Sequence, residues 1–205
     1  MCSSDLELLK HELIINYTTI WMDSLRDGKT ELVNTNKLVR FYEGTTGLKT
    51  GTTSKAGCCV SASAMRDGTH LIAVVMGSDN SSDRFETAKA MLNWGFANFS
   101  TVTPEIDASL IPDVGVINGV IEKITPKIPQ VSPVLVEKGR ENEITQTIDL
   151  AVDVEAPVEQ GQVLGTVTFR LGDDLLGEYN LTAPDQIGKL TFWIIFTRIL
   201  RSVVL

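Results

Sequence analysis

The sequence is poor in the residues that carry metal and disulfide chemistry. Three cysteines, two of them adjacent at Cys58 and Cys59, are too few and too badly spaced for a disulfide framework or a zinc site, and there are only two histidines. Neighbours on a strand point to opposite faces, so a Cys58–Cys59 bridge would be strained. At least one of the pair reads as a small core hydrophobe. His11 and His70 have no cysteine or acid pattern around them and read as surface or packing residues, and no cofactor is implied. Positive charge is also short: 18 Lys and Arg against 26 Asp and Glu leave a net charge of −8. That argues against nucleic acid as a partner, because neutralising phosphates needs clustered cations. Seven prolines and 16 glycines without a tripeptide period exclude collagen-like sequence. With 43% hydrophobic residues and a mean hydropathy of +0.08, the chain is not disordered overall. The first five residues, Met1-Cys2-Ser3-Ser4-Asp5, have no apolar core and do not read as an export signal.

What is present falls into three zones. Residues 1–104 are almost neutral at −1, residues 105–188 carry −10, and residues 189–205 carry +3. Such asymmetry predicts separate modules. In the first zone, Leu6 to Ile15 reads as one helix. Glu31–Val33, Cys58–Ala64 and Leu71–Met76 read as strands, and Arg66-Asp67-Gly68-Thr69 as a hairpin turn. A second helix is expected from Ser81 to about Phe99, with Phe85, Ala88, Met91, Leu92 and Phe96 on its apolar face. In the second zone, Ile148, Leu150, Val152 and Val154 alternate with polar or small residues. Val163 to Leu171 does the same, so a small all-β sandwich is expected over 105–188.

The third zone, Lys189 to Leu205, has eleven strongly apolar residues in seventeen. As a helix it would be about 25 Å long, short of a hydrocarbon core of about 30 Å, and it contains two arginines. A broad apolar face opposite Arg198 and Arg201 predicts an amphipathic helix lying in a membrane surface, the alternative being a helix packed on its own domain.

One motif carries chemistry. Gly47-Leu48-Lys49-Thr50-Gly51-Thr52-Thr53 contains Lys-Thr-Gly, which occurs in penicillin-binding proteins and class A β-lactamases. On an edge strand lining a cleft, a Lys ammonium is a fixed positive charge. A Thr hydroxyl can bond a substrate carboxylate, and Gly leaves room for a substrate backbone. The surrounding order is more specific than the tripeptide. Asn34-Thr35-Asn36-Lys37-Leu38-Val39 precedes it, Leu71-Ile72-Ala73-Val74-Val75-Met76-Gly77 follows, and then come Asp83-Arg84-Phe85 and Asn93-Trp94-Gly95-Phe96. Ala156-Pro157-Val158 and Gly161-Gln162-Val163-Leu164-Gly165 lie in the acidic zone. Nearly the whole string resembles the low-molecular-mass penicillin-binding proteins, the serine D-Ala-D-Ala carboxypeptidases of peptidase family S11.

That resemblance implies an α+β fold. Residues 1–104 would be part of a transpeptidase-like catalytic domain, 105–188 a β domain and 189–205 a peripheral anchor on the outer face of the bacterial cytoplasmic membrane. It implies removal of the terminal D-Ala from peptidoglycan stem peptides through an acyl-enzyme, with β-lactams as substrate analogues. Lys49 would support proton transfer. Thr50, Gly51 and Thr52 would hold the substrate's terminal carboxylate and backbone. Arg84 would help bind that carboxylate, or else be a solvated first-turn residue. The sequence departs from the family in one respect: no serine has a lysine three positions on. Ser78-Asp79-Asn80 matches the second motif literally but stands after Lys-Thr-Gly instead of before it, and reads as a helix-capping loop. The chain therefore looks like the C-terminal part of a longer enzyme. A β-lactamase and a non-catalytic membrane-associated module are the alternatives.

Overall fold

The computed structural model describes residues 2–197. It is α+β, and the chain divides into two compact units, Met1–Thr101 with Leu135–Lys138, and Val102–Val134 with Gly139–Leu205.

In the first unit, α1 (Cys2–Leu9) and α2 (Glu12–Thr18) are separate helices. The single helix expected over Leu6–Ile15 is interrupted at His11, which is extended at φ −97°, ψ 94°. A hairpin of β1 (Met22–Leu25) and β2 (Thr30–Val33) and the one-turn helix α3 (Leu38–Phe41) lead into the central sheet. That sheet is antiparallel, in the order β3 (Thr45–Thr53), β4 (Gly57–Arg66), β5 (Thr69–Ser78). The β4–β5 turn places Asp67 at φ 47° and Gly68 at φ 76°, as a tight hairpin requires.

Period-2 alternation explains how β4 divides its faces. Val60, Ala62 and Ala64 join Ala73 and Val75 of β5 in a core with Phe85, Ala88, Leu92 and Phe96 of α4 (Ser81–Asn98). Ser61 and Ser63 face the opposite side; both are buried. The small alanines let α4 approach the sheet closely. Gly95 permits the same approach, since a Cβ there would lie 2.6 Å from Leu71 Cδ1. Met91, expected on the apolar face of α4, is instead largely exposed. Asn80 is the N-cap of α4, its Oδ1 accepting from the N–H groups of Ser82 and Asp83 at 2.9 and 3.0 Å. The literal Ser-Asp-Asn sequence is thus a helix-capping loop. β6 (Phe99–Val102) pairs with β9 (Val134–Glu137).

The second unit holds two three-stranded sheets. One has β7 (Val114–Ile117) between β8 (Lys123–Ile124) and β11 (Asp153–Glu155). The other has β12 (Val163–Leu171) between β10 (Ile144–Leu150) and β13 (Asp174–Thr182). Val114, Val116, Ile124, Val158 and Leu164 form one core and Val167, Phe169 and Leu181 another, with Leu150 packed against both. The alternation from Ile148 to Val154 does not belong to one strand. It spans β10 and β11, which sit in different sheets, and Val152 at the crossing is 83% exposed.

Residues 192–197 are helical; Phe192 and Phe196 are stacked and Trp193 meets both edge-on, all at centroid distances near 6 Å. Residues 198–205 of the expected amphipathic helix lie outside the described residues. No described helix is long and apolar enough to cross a membrane.

His70 is half-buried, its Nε2 lying 2.8 Å from Thr46 Oγ1, which in turn lies 2.7 Å from Ser63 Oγ. Burial pushes the imidazole below its ordinary value near 6.5. Protonation therefore favours the unfolded chain: the His70 contribution is complete above pH of about 6.5 and is lost as pH falls through the lower folded-state value. Thermal melts should show His70→Gln losing less Tm than the parent between neutral pH and pH of about 5. An equal loss in both would remove His70 from the pH response.

Candidate active site

The Lys-Thr-Gly segment lies on β3, an edge of the central sheet whose described partner is β4 alone. Register sets the residues opposite it: Lys49 faces Ser61, Thr50 faces Val60, Gly51 faces Cys59 and Thr52 faces Cys58. Alternation then puts Lys49 and Gly51 on one face of the strand and Thr50 and Thr52 on the other. The entry to the strand is held by Gly47 at φ 139°, where a Cβ would lie 2.7 Å from the Thr18 Cβ. Thr18 Oγ1 donates to the Thr46 carbonyl at 2.6 Å, so α2 fixes β3 from outside the sheet.

Each expected residue has a distinct environment. Lys49 is exposed, and its ammonium donates to the Thr50 carbonyl at 2.7 Å. Thr50 is buried, with its hydroxyl 2.6 Å from that of Thr35 in the segment before α3. Gly51 is exposed, and a Cβ built there meets nothing within 4 Å. Nothing in the fold itself requires this glycine, which leaves clear space beside the strand for an incoming chain. Thr52 is exposed, its hydroxyl within 3.7 Å of Cys58 Sγ.

Arg84 is only 6% exposed, so it is not a solvated first-turn side chain. It reaches from the first turn of α4 under the end of β3. Its Nη1 donates to the Gly51 carbonyl and Thr52 Oγ1, both at 3.2 Å, and to the Cys59 carbonyl at 3.1 Å. Its Nη2 donates to Ser81 Oγ at 3.1 Å, and the guanidinium carbon sits 4.8 Å from the centre of the Phe85 ring. Nε has no partner, and no carboxylate among the described residues pairs with the group. A buried cation ordinarily has an anionic partner, and the first turn of a helix is the wrong end for positive charge. Arg84 breaks both rules, which is the behaviour expected of a group that serves a ligand.

Arg84, Thr52 and Gly51 are therefore in direct contact. Lys49 and Thr50 share their strand, on opposite faces. Three residues touch this arrangement that the sequence reading had not placed in the site: Thr35, Ser81 and Cys58. Thr35 lies inside the Asn34–Val39 string, and its partner Thr50, 15 residues further on, gave no local signal. Cys58 and Cys59 are both half-buried and free, and neither is a core residue. Among the described residues there is no cluster of His, Cys, Asp or Glu able to hold a metal ion.

Comparison with known proteins gives this geometry a family. Residues 5–80 match the family model described as D-alanyl-D-alanine carboxypeptidase, and residues 99–193 match that of the penicillin-binding protein 5 C-terminal domain. The D-alanyl-D-alanine carboxypeptidase DacF of Bacillus subtilis is 33% identical over 190 residues, covering 91% of this chain and 49% of that protein. DacC of Escherichia coli is 34% identical over 149 residues, 72% of this chain and 37% of that protein. Among solved structures, penicillin binding protein 5 from Haemophilus influenzae aligns with a TM-score of 0.70 at 27% identity, over 90% of this chain and 53% of that one. Penicillin binding protein 6B from Escherichia coli aligns with a TM-score of 0.57 at 25% identity, over 82% and 44%. The chain spans about half, or less, of the length of these relatives. With both of its modules matched in the same order, the chain belongs to the low-molecular-mass penicillin-binding proteins of the D-alanyl-D-alanine carboxypeptidase family, peptidase S11.

Proposed function

We propose that the chain supplies the carboxylate-binding and electrostatic side of a serine-type D-Ala-D-Ala carboxypeptidase site, acting on peptidoglycan stem peptides. The observation that carries this reading is the buried Arg84 guanidinium, without a carboxylate partner, bonded to Gly51 and Thr52 beside the open edge of β3. An extended peptide can lie along such an edge and bond to its main chain. Gly51 leaves room for it. Thr52 and Arg84 then offer a hydroxyl and a guanidinium to the terminal carboxylate, while Thr50, bonded to Thr35, stiffens the strand between them. Lys49 places a second cation on the opposite face of the strand. In the complete reaction a serine attacks the carbonyl between the two D-alanines and the terminal D-Ala leaves. Water then releases the acyl group. Lys49 assists by moving protons near the nucleophile. No serine among the 205 residues has the lysine at the third position that this nucleophile requires. The chain by itself therefore binds without acylating. β-Lactams, as substrate analogues, are expected to meet the same groups.

The tail provides for location. Phe192 and Trp193 are 72% and 70% exposed, and the aromatic cluster they form with Phe196 suits the interface of a membrane surface. We infer that residues 189–205 hold the chain peripherally on the outer face of the bacterial cytoplasmic membrane.

Three measurements test these readings. In titration calorimetry, an acetylated peptide ending in D-Ala-D-Ala should bind about tenfold more tightly as the free acid than as the C-terminal amide, the worth of one charge-assisted hydrogen bond. Arg84→Gln should erase the difference, and equal affinity of the parent for acid and amide would refute the site. A fluorescent penicillin should leave the chain unlabelled after denaturation, whereas hydroxylamine-sensitive labelling would reveal a nucleophile elsewhere. In sedimentation with anionic vesicles, replacing Phe192 and Trp193 by alanine should lower the bound fraction several-fold, since each side chain contributes about 1.5–3 kcal/mol on burial. Unchanged sedimentation would rule out the anchor.

A further inference from the structure

In β10, Ile144, Gln146 and Ile148 share the half-buried face, while Thr145, Thr147 and Asp149 are exposed. Ile144 and Ile148 pack on the core of Val167, Phe169 and Leu181. Gln146 therefore stands where the strand period calls for an apolar residue, directly opposite Phe169 on β12. The Asp107 N–H donates to Gln146 Oε1 at 3.0 Å, which fixes the two ends of the amide. Nε2, the donor end, is buried and has no partner. The bond to Asp107 accounts for the acceptor only, and a buried donor is almost always paired. Gln146 lines a cavity of about 310 Å³ in the second unit, together with Glu105, Glu141, Pro104 and Ile144. None of the groups of the Lys-Thr-Gly site lies on its wall.

We propose that this cavity is a second binding site, for a neutral N-acetylated amino sugar, separate from the β3 site. The inference does not rest on the function proposed above. Complementarity selects the ligand class. The Gln146 amide proton needs an acceptor, whereas the exposed Glu105 carboxylate offers only acceptors and needs a donor. Glu141 adds negative charge to the same wall, and its Oε2 takes the Gly139 N–H at 2.8 Å. The occupant must then carry both kinds of group. An ammonium has no acceptor for Nε2. An anion is disfavoured by two carboxylates in a zone of net charge −10. An acetamido group has one carbonyl and one N–H, and the sugar ring adds hydroxyl donors for the carboxylate. The acetamido methyl suits the apolar part of the wall, Pro104 and Ile144. Small-molecule sites span about 300–1,000 Å³, so a cavity at the lower end takes one ring and not a run of peptide.

The full chain is titrated with N,N′-diacetylchitobiose, and saturation transfer from protein to sugar is followed by NMR. Transfer should be strongest at the acetamido methyl. Cellobiose, which lacks acetamido groups, should bind about fivefold more weakly, the worth of one hydrogen bond. Gln146→Glu keeps an acceptor for the Asp107 N–H and loses the donor, so it should bind N,N′-diacetylchitobiose about fivefold more weakly than the parent. Glu105→Ala, at an exposed position, should also weaken binding with Tm unchanged, and it carries the test if Gln146→Glu does not fold. An acetylated peptide ending in D-Ala-D-Ala should leave the sugar signals as they were. Displacement of the sugar by that peptide would move the sugar to the β3 site and overturn the second site. Equal affinity for the two disaccharides, folded variants that bind as the parent does, or equal binding of a blocked tri-alanine peptide would also overturn it. Absence of transfer to either sugar would leave Nε2 to an ordered water and refute the site.

Discussion

The first unit depends on how one buried cation is satisfied. Arg84 enters from α4 and ends on two backbone carbonyls, Gly51 on β3 and Cys59 on β4, together with the Thr52 hydroxyl. These bonds tie the helix to both strands of the hairpin that carries Lys-Thr-Gly. The apolar core beneath, built from Val60, Ala62, Ala73 and Val75 against Phe85 and Ala88, brings the helix close enough for the guanidinium to reach. Neutral acceptors compensate burial of a charge less well than a carboxylate does. The arginine is therefore held by packing in a place where an added anion would stabilise it.

That arrangement separates two kinds of residue in the same motif. Thr50 is turned inward and bonded to Thr35, while Thr52, two residues later on the same face, has moved beyond the core edge into solvent contact. Gly51, between them, belongs to the opposite face. One strand thus alternates a residue that anchors it, a residue that leaves space and a residue that meets Arg84. Strand pleating alone produces this division, without positive φ at those three positions.

Much of the fold was legible because burial alternates at fixed periods. Ser61 and Ser63 between Val60, Ala62 and Ala64 marked β4, and Asp67-Gly68 marked its turn. The spacing of Phe85, Ala88, Leu92 and Phe96 marked α4. Where legibility failed, partner identity was the missing information. Ile148 to Val154 alternates without a break in sequence, yet β10 pairs with β12 and β11 pairs with β7, so Val152 at the crossing points to water. Likewise the break at His11 has no proline or glycine to announce it. Short helices gain little from intrinsic propensity, and the flanking packing decides where they stop.

Residue order alone was enough for the family, the Lys-Thr-Gly motif, the lack of a serine followed at the third position by lysine and the three zones of charge. Those properties are local: they need only residue identity, spacing and period. Only the tertiary structure decided that Arg84 is buried and not solvated, that Thr52 and not Thr50 is its hydroxyl partner, and that Cys58 completes the same chain of contacts. Arg84 and Thr52 are 32 residues apart in sequence. No local preference brings them together; the packing of α4 across the sheet does, and the hydrogen bonds follow from that proximity.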